Sequence, residues 1–562
     1  MLTQITIGNF KAFAESQNIP LCPLTLIYGA NSSGKSSILH SLLLARHAIE
    51  TGELDVHRTT LGGESVDLGG FRQYINQRNV SNRMEWSLDL DVASLTGRMA
   101  ELFAPVQLLT ISVTIGIALD DEGRILSGAL PKMHSYEVLG DSKSVLRMSR
   151  RPSGTFRLDR LDHKHPLFRE IISAIVATST TTDSLAPSDY EGMDNAVAEI
   201  VPAIAISMGR FLPEGIVKEE VQNSQSQLSF FPISKGSRKE DLAAALYFFI
   251  PRVVDELLKG LSQTITERLS RFQYLGPLRS YPPRHLAFLQ DHNSNWLAGG
   301  GYAWEVLKRD QKVREEVNTW LGSSDRLQTP YTLRVIKYAH LKEALALIFL
   351  SFEEYYSEIY DNSFIARVYK DGKSTDEEDE VTLLKLVSPE KLYEIATRGI
   401  SEEGLFEKLE ELVMVDKKTN TMVSHRDVGI GISQVIPVLV SAYASKNKFI
   451  AIEQPEIHLH PALQADLGDV FIQSALGENQ NHFLIETHSE HLLLRILRRI
   501  RETAEGTLPK DVVPIKPEHV SVLYVDSGKK GAEVIHIPVN EEGEFDRPWP
   551  KGFFAERAKE LF

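Results

Sequence analysis

The chain has 562 residues, more than one hydrophobic core can serve, so two or three domains are expected. Its 42% apolar and 24% charged content is ordinary for a globular protein, and the lone Cys22 excludes an internal disulfide framework. A formal charge of −15 excludes a polyanion binder acting through its whole surface, so nucleic acid would have to meet a local basic patch or a partner. No basic stretch precedes an apolar run at the start, and the longest apolar runs, 344–350 and 435–440, are far too short to cross a membrane. A cytoplasmic location without a membrane partner is the expectation.

Residues 1–165 read as a β-rich lobe. Alternation at 4–7 predicts a strand, and 9–13 turns into a second strand ending near Pro20. The apolar run Leu24 to Tyr28 then meets Gly29, Ala30, Asn31, Ser32, Ser33, Gly34, Lys35, Ser36 and Ser37, and a helical pattern follows at once. Strand, glycine-bearing loop and helix N-terminus in that order form a P-loop. Gly29 and Gly34 let successive backbone N–H groups turn toward phosphate oxygens, and the helix adds the positive end of its dipole. Lys35 is placed for the β- and γ-phosphates of ATP, and the Ser36 hydroxyl for Mg²⁺. Further strands are expected at 86–90, 108–117, 135–139 and 155–158. Gln73 is either a magnesium-sensing glutamine or a plain surface residue.

Residues 166–271 read as a helical insertion, with helices at 167–177, 194–208 and 240–271 and polar connectors at 178–188 and 222–229. Residues 272–562 form the remaining unit. The stretch 274–284 is too rich in Pro and Gly for a helix and too apolar for a free loop; its Arg279 and Arg284 suit a phosphate, a neighbouring subunit or plain solvent. Helices follow at 304–321 and 340–360, and 375–380 reads as a solvated acidic loop.

Two later strands carry polar residues at their C-terminal ends. Residues 448–453 are an apolar strand ending in Glu453, where Mg²⁺ needs a carboxylate, so Glu453 is the Walker B acid. Residues 481–488 repeat the design and end at His488, which is placed to donate to the γ-phosphate. His458, His460 and His488 also allow a metal site by residue type. Between the helical stretches, 427–434 (Asp-Val-Gly-Ile-Gly-Ile-Ser-Gln) opens another helix, with Gly431 baring backbone and Ser433 available as a cap. A chain with a second anion-binding helix end usually applies it to another copy's nucleotide.

Together, 29–37, 427–434, 452–461 (Ile-Glu-Gln-Pro-Glu-Ile-His-Leu-His-Pro) and 486–488 (Glu-Thr-His) resemble the ABC/SMC-type AAA ATPases. The subset nearest in form includes ATPases of bacterial phage-defence operons of the Septu type, and 549–556 resembles an end common there. The resemblance covers roughly 1–90 and 270–562. It implies an α/β fold: a P-loop NTPase with an ABC-type ATPase head, made of a β-rich N-terminal lobe and a parallel-sheet core. Two heads would pair head-to-tail, or assemble further, each ATP held between one P-loop and the other copy's Gly431 and Ser433, with His488 as switch histidine.

One position departs from that pattern. The glutamate that polarises the attacking water is replaced by Gln454, which orients water but cannot take its proton. Glu456 is the candidate substitute; without one, turnover should fall tens- to hundreds-fold. Relatives of the OLD nuclease type carry a nuclease domain after the head, which needs well over 100 residues. Roughly 60 follow the helix at 490–501, reading as a hairpin (520–525, 532–538) and a short helix near 553–561. Arg495, Arg498 and Arg499 share one helix face, as solvated arginines or as a phosphate stripe. The resemblance thus implies an ATP-driven sensor or scaffold for a separate HNH-type nuclease, with nucleic acid met directly or through that partner. A DNA-gripping, SMC-like repair ATPase is the rival, and a transporter subunit a weaker third.

Overall fold

The computed structural model describes residues 2–119, 128–168, 187–217, 238–279, 295–323, 326–338, 409–423, 428 and 430–550; of these, 187–193, 238–245, 337–338 and 409–410 are described by backbone alone. Most of the readings at 167–177 and 178–188, those at 222–229, 340–360 and 375–380, Arg284, Asp427, Gly429 and the terminal helix near 553–561 lie outside the described residues.

A nine-stranded antiparallel sheet dominates the first half. Its strands are β1 (Leu2–Gly8), β2 (Gln17–Pro20), β4 (Met84–Asp91), β5 (Leu108–Gly116), β6 (Lys132–Gly140), β7 (Lys143–Arg150), β8 (Phe156–Leu161), β9 (Ala205–Met208) and β10 (Pro213–Ile216). From β10 back to β4 they follow one another as neighbours, and β1 and β2 close the edge. The last two strands correct the sequence reading. The stretch expected as an all-helical insertion has a helix at Pro187–Ala203, with Pro202 near its end, followed by two strands that extend the lobe's sheet. The long helix Arg238–Ser270 carries Leu246, Ile250, Val254, Leu257, Leu258, Leu261, Ile265 and Leu269 into the core shared with that sheet. This apolar spacing of three and four residues is what ties it to the lobe.

The second sheet has six strands, ordered β11 (Phe272–Leu275), β15 (Phe449–Glu453), β16 (His482–Glu486), β3 (Leu24–Gly29), β17 (Val520–Gly528) and β18 (Gly531–Ile537). The first five run parallel and β18 returns antiparallel, as the hairpin expected from the sequence. β11 was not foreseen: it starts directly after the expected 240–271 helix, and its last two residues lie in the stretch read as neither helix nor free loop. Every residue of β3 is buried, because cores lie on both faces of the sheet. Leu24, Leu26 and Tyr28 enter one core, while Ile27 enters the core shared with the antiparallel lobe. A small third sheet joins β12 (Tyr331–Tyr338), β13 (Leu409–Asp416) and β14 (Thr421–Val423).

Helix α1 (Lys35–Thr51) leaves the end of β3. Behind the sheet lie Tyr302–Arg309 and Gln311–Gly322, separated at Asp310, whose side chain accepts from Val313 N–H and starts the second helix. The 304–321 stretch is thus two helices. Alongside are Ile430–Ala444, apolar on all sides and buried accordingly, Pro461–Leu476 and Glu490–Ala504.

Candidate functional site

The parallel register gathers the C-terminal ends of three neighbouring strands. Glu453 pairs with Glu486 and Glu486 with Ile27, so both glutamates stand beside the loop that follows β3. Ligands in open parallel sheets bind at such strand ends.

The loop has the strain its glycines are there to carry. Gly29 stands at φ +148, and a Cβ there would lie 2.4 Å from Val525 O; Gly34 stands at φ +107, where a Cβ would lie 2.5 Å from that of Ala12. Ser32 is also left-handed, at φ 61. Ala30, Asn31 and Ser32 form the exposed tip, while Ser33 and Lys35 are buried. Gly34 caps α1 without any side-chain hydrogen bond, so the first helical N–H groups have no side-chain acceptor. The Ser33 hydroxyl is buried without a partner.

Lys35, 4% exposed, donates to Gly29 O at 3.1 Å and Ala30 O at 2.9 Å, and its Nζ lies 3.8 Å from Glu486 Oε1. Burial lowers its pKa against the pull of Glu486, Glu453 and Glu456. Glu486 is held up to about 7, first by burial and then by the neighbouring Glu453 charge, with the Ser36 hydroxyl and Lys35 opposing. Its Oε2 is buried without a hydrogen-bond partner. Glu453 accepts from the Tyr274 hydroxyl at 2.7 Å and lies 3.5 Å from His40 Nε2. The other ring nitrogen of His40 is 2.6 Å from Lys11 Nζ. Burial depresses both partners, His40 below its usual range and Lys11 to about 8. With the lysine ammonium donating to Nδ1, the remaining ring proton sits on Nε2, facing Glu453. The chain Lys11, His40, Glu453, Tyr274 thus joins the antiparallel lobe to the end of β15.

The loop after β15 is held by main-chain bonds. Gln454, at φ 46, donates its N–H to Glu486 O at 2.7 Å. Arg279 donates to Glu453 O at 2.8 Å and Gln454 O at 3.3 Å, while its own backbone exchanges hydrogen bonds with the Gln434 side chain. Arg279 is therefore buried, its pKa lowered to about 10 by burial, and is not a plain solvent-facing arginine. Glu456 Oε1 accepts His488 N–H at 2.7 Å and so links two loops, while its Oε2 is buried without a partner. Burial, with Lys35 adding, keeps His488 below the usual histidine range, so it is neutral at pH 7.

Gly431 and Ser433 stand apart from this cluster. Ser433 is 1% exposed and its hydroxyl donates to Ile430 O at 2.8 Å, inside the first turn, so it does not cap the helix. A Cβ on Gly431 would lie 2.6 Å from His458 O, so the 456–460 loop covers this helix end. The three histidines do not assemble: His460 Nδ1 accepts Ala462 N–H at 3.3 Å as a helix cap, and among the described residues no three potential ligands gather on a metal. Arg495 and Arg499 grip Asp466 and Asp469, and Arg498 pairs with Glu502, so the arginine face is mostly spent internally. Gln73 is exposed and lines a cavity of about 560 Å³ with Lys11, Asp67 and Arg78.

Sequence reasoning missed Glu486, Tyr274, His40 and Lys11. Glu486 carried a signal, since β16 repeats the apolar-strand-then-acid pattern of β15. The other three did not, because their partners are distant in the chain. The arrangement offers open helix amides and a lysine for an anion, with the Ser36 hydroxyl and the Glu453 carboxylate for a divalent cation and a second carboxylate, Glu486, beside them.

Family models match at 310–493 (AAA ATPase domain), 4–48 (AAA domain) and 515–562 (a protein family of unknown function, DUF3696). No curated protein matches the chain. Solved structures similar to it include an SMC head bound to the C-winged helix domain of ScpA, at 10% identity, covering 96% of this chain and 97% of that one, with a TM-score of 0.34. Another is an SMC head with an extended coiled coil bound to the C-terminal domain of ScpA derived from Pyrococcus furiosus, at 10% identity, 100% and 98% coverage and TM-score 0.33. A third is an SMC head domain from Thermotoga maritima, at 9% identity, 96% and 99% coverage and TM-score 0.31. The fold is α/β, with an antiparallel lobe and a parallel core that meet at β3, and the family matches over 4–48 and 310–493 support an ATPase domain.

Proposed function

We propose that this chain binds ATP with Mg²⁺ at the loop between β3 and α1 and hydrolyses it slowly. The observation carrying this reading is that Lys35, Glu453 and Glu486 converge at the C-terminal ends of neighbouring strands, against helix amides that no side chain caps. Asn31, Ser32, Ser33 and Gly34 offer backbone amides to the phosphates, and Lys35 offers its charge. Ser36 and Glu453 are the residues suited to Mg²⁺, which when bound offsets charge developing on the phosphates. His488, neutral and beside Lys35, is suited to a γ-phosphate oxygen, and Gln454 to orienting water.

The same reading extends to a head-to-tail pair in which each copy offers its 430–433 helix end to the other's nucleotide. Ile430, 42% exposed, favours an outward-facing end. Ser433 must then leave Ile430 O and the 456–460 loop must move off Gly431, so pairing entails a local rearrangement. On the strength of the 452–461 motif, the assembly is an ATP-gated scaffold of phage defence acting through a separate nuclease chain. Phosphate release tests the enzyme part: slow, magnesium-dependent turnover abolished by Lys35→Ala supports it, and turnover indifferent to that change refutes it. Purification from the native operon tests the partner, a co-eluting nuclease being the expected result.

A further inference from the structure

We infer that Glu486 is the carboxylate that orients and deprotonates the attacking water, doing the work that position 454 does not; this rests on the magnesium-ATP reading above. The candidates separate on geometry. Gln454 has no carboxylate, and its backbone is fixed at φ 46 by bonds from its N–H to Glu486 O and from Arg279 to its own carbonyl. Glu456 gives one oxygen to His488 N–H and its Oε2 is also without a partner, but it stands three residues beyond the end of β15, whereas Glu486 lies at the strand end, 3.8 Å from Lys35 Nζ. Glu453 is engaged by Tyr274 and faces His40, and it stands where a metal is expected. Glu486 is the next strand's residue in direct register with Glu453, so it meets the site at the same level.

Its two oxygens differ. Oε1 lies 3.8 Å from Lys35 Nζ, while Oε2 is buried without a hydrogen-bond partner, although the residue is only 4% exposed. A buried acceptor left unmade costs free energy, on the order of 1–3 kcal/mol, and sites tolerate this where a ligand or water completes them. With Lys35 drawn to the phosphates, Glu486 is left beside the reacting group without its counter-ion.

In the step itself, a water oxygen bonds to the γ-phosphorus as the bond from that phosphorus to the β–γ bridging oxygen breaks. The water proton passes to Glu486 and the bridging oxygen leaves with ADP. Glu486 later yields the proton to solvent, so ATP and water give ADP, phosphate and a proton.

The test compares wild type, Glu486→Gln and Glu456→Gln for equilibrium binding of a fluorescent ATP analogue with Mg²⁺, for phosphate release, and for the nucleotide retained after incubation. Glu486→Gln should bind within about threefold of wild type, lose turnover by about 100-fold or more, and retain ATP rather than ADP. Glu486→Asp, which withdraws the carboxylate by one methylene, should show the same split if the glutamine variant does not fold. Wild-type turnover in Glu486→Gln overturns the inference, as does a loss confined to Glu456→Gln. A tenfold loss of magnesium-ATP affinity also overturns it, because the side chain then serves the metal or the phosphates. Wild-type turnover in Glu486→Gln sinks this inference alone; wild type that binds magnesium-ATP without turning it over sinks the hydrolysis proposed above with it, and wild type that binds no magnesium-ATP sinks that function whole.

Discussion

His482 opens β16 in a setting that resists its protonation. Burial, together with positive charge that includes Arg268, lowers its pKa to about 4 from a usual 6.5. The unfolded chain therefore binds the proton more readily, and stability is present in full above pH 6.5 and is lost as pH falls toward 4. The linkage amounts to about 3 kcal/mol at most. Urea unfolding at pH 7.5 and pH 4.5 should show a smaller acid loss in His482→Asn than in wild type; equal losses would contradict the assignment. At this scale the sequence was most legible where chemistry is local. Gly29, Gly34 and Lys35 could be placed between β3 and α1, and Glu453 at the end of β15, from their flanks alone. Arg279 could not, because its acceptors, the carbonyls of Glu453 and Gln454, are far along the chain and carry no side-chain signature.

Among the elements, the C-terminal hairpin does the least expected work. β17 lies beside β3, and Ala532 N–H bonds Ala12 O at 2.8 Å, so the hairpin walls the loop from the side of Gly34. Trp549 follows, edge-on to Tyr28 at 5.4 Å and to Tyr524 at 6.0 Å, with Phe545 at 5.1 Å. Tyr28 directly precedes Gly29, and its hydroxyl bonds Ser489 O at 3.0 Å. Trp549→Ala should cost about 2 kcal/mol, below the value for a fully buried tryptophan, and should weaken ATP binding as well as lower Tm. A lower Tm with unchanged ATP affinity would confine this cluster to stability. The long strands and the P-loop helix were legible from period and flanks, whereas β9, β10 and β11 were not. Each has four residues, too few for alternation to declare itself, and Gly276 and Pro277 mask the end of β11.

The whole molecule is a parallel sheet buried between two cores, with the antiparallel lobe reaching the site through Lys11 and His40. That connection links Glu453 to the lobe through side-chain contacts, and on the other face the 456–460 loop covers Gly431. If nucleotide opens that end for pairing, light scattering should show a doubling of mass in magnesium-ATP, most fully in the slow Glu486→Gln protein. An unchanged mass would leave the ATPase reading standing and remove the dimer.

The central claim is that segments hundreds of residues apart build one site for a magnesium-bound triphosphate. Calorimetric titration of ATP, with Mg²⁺ and with EDTA, tests it most directly. One ATP per chain is predicted, bound more tightly with Mg²⁺ because Glu453 and Glu486 repel an uncompensated triphosphate, and lost in Lys35→Ala. Binding that ignores both magnesium and Lys35 would contradict the account.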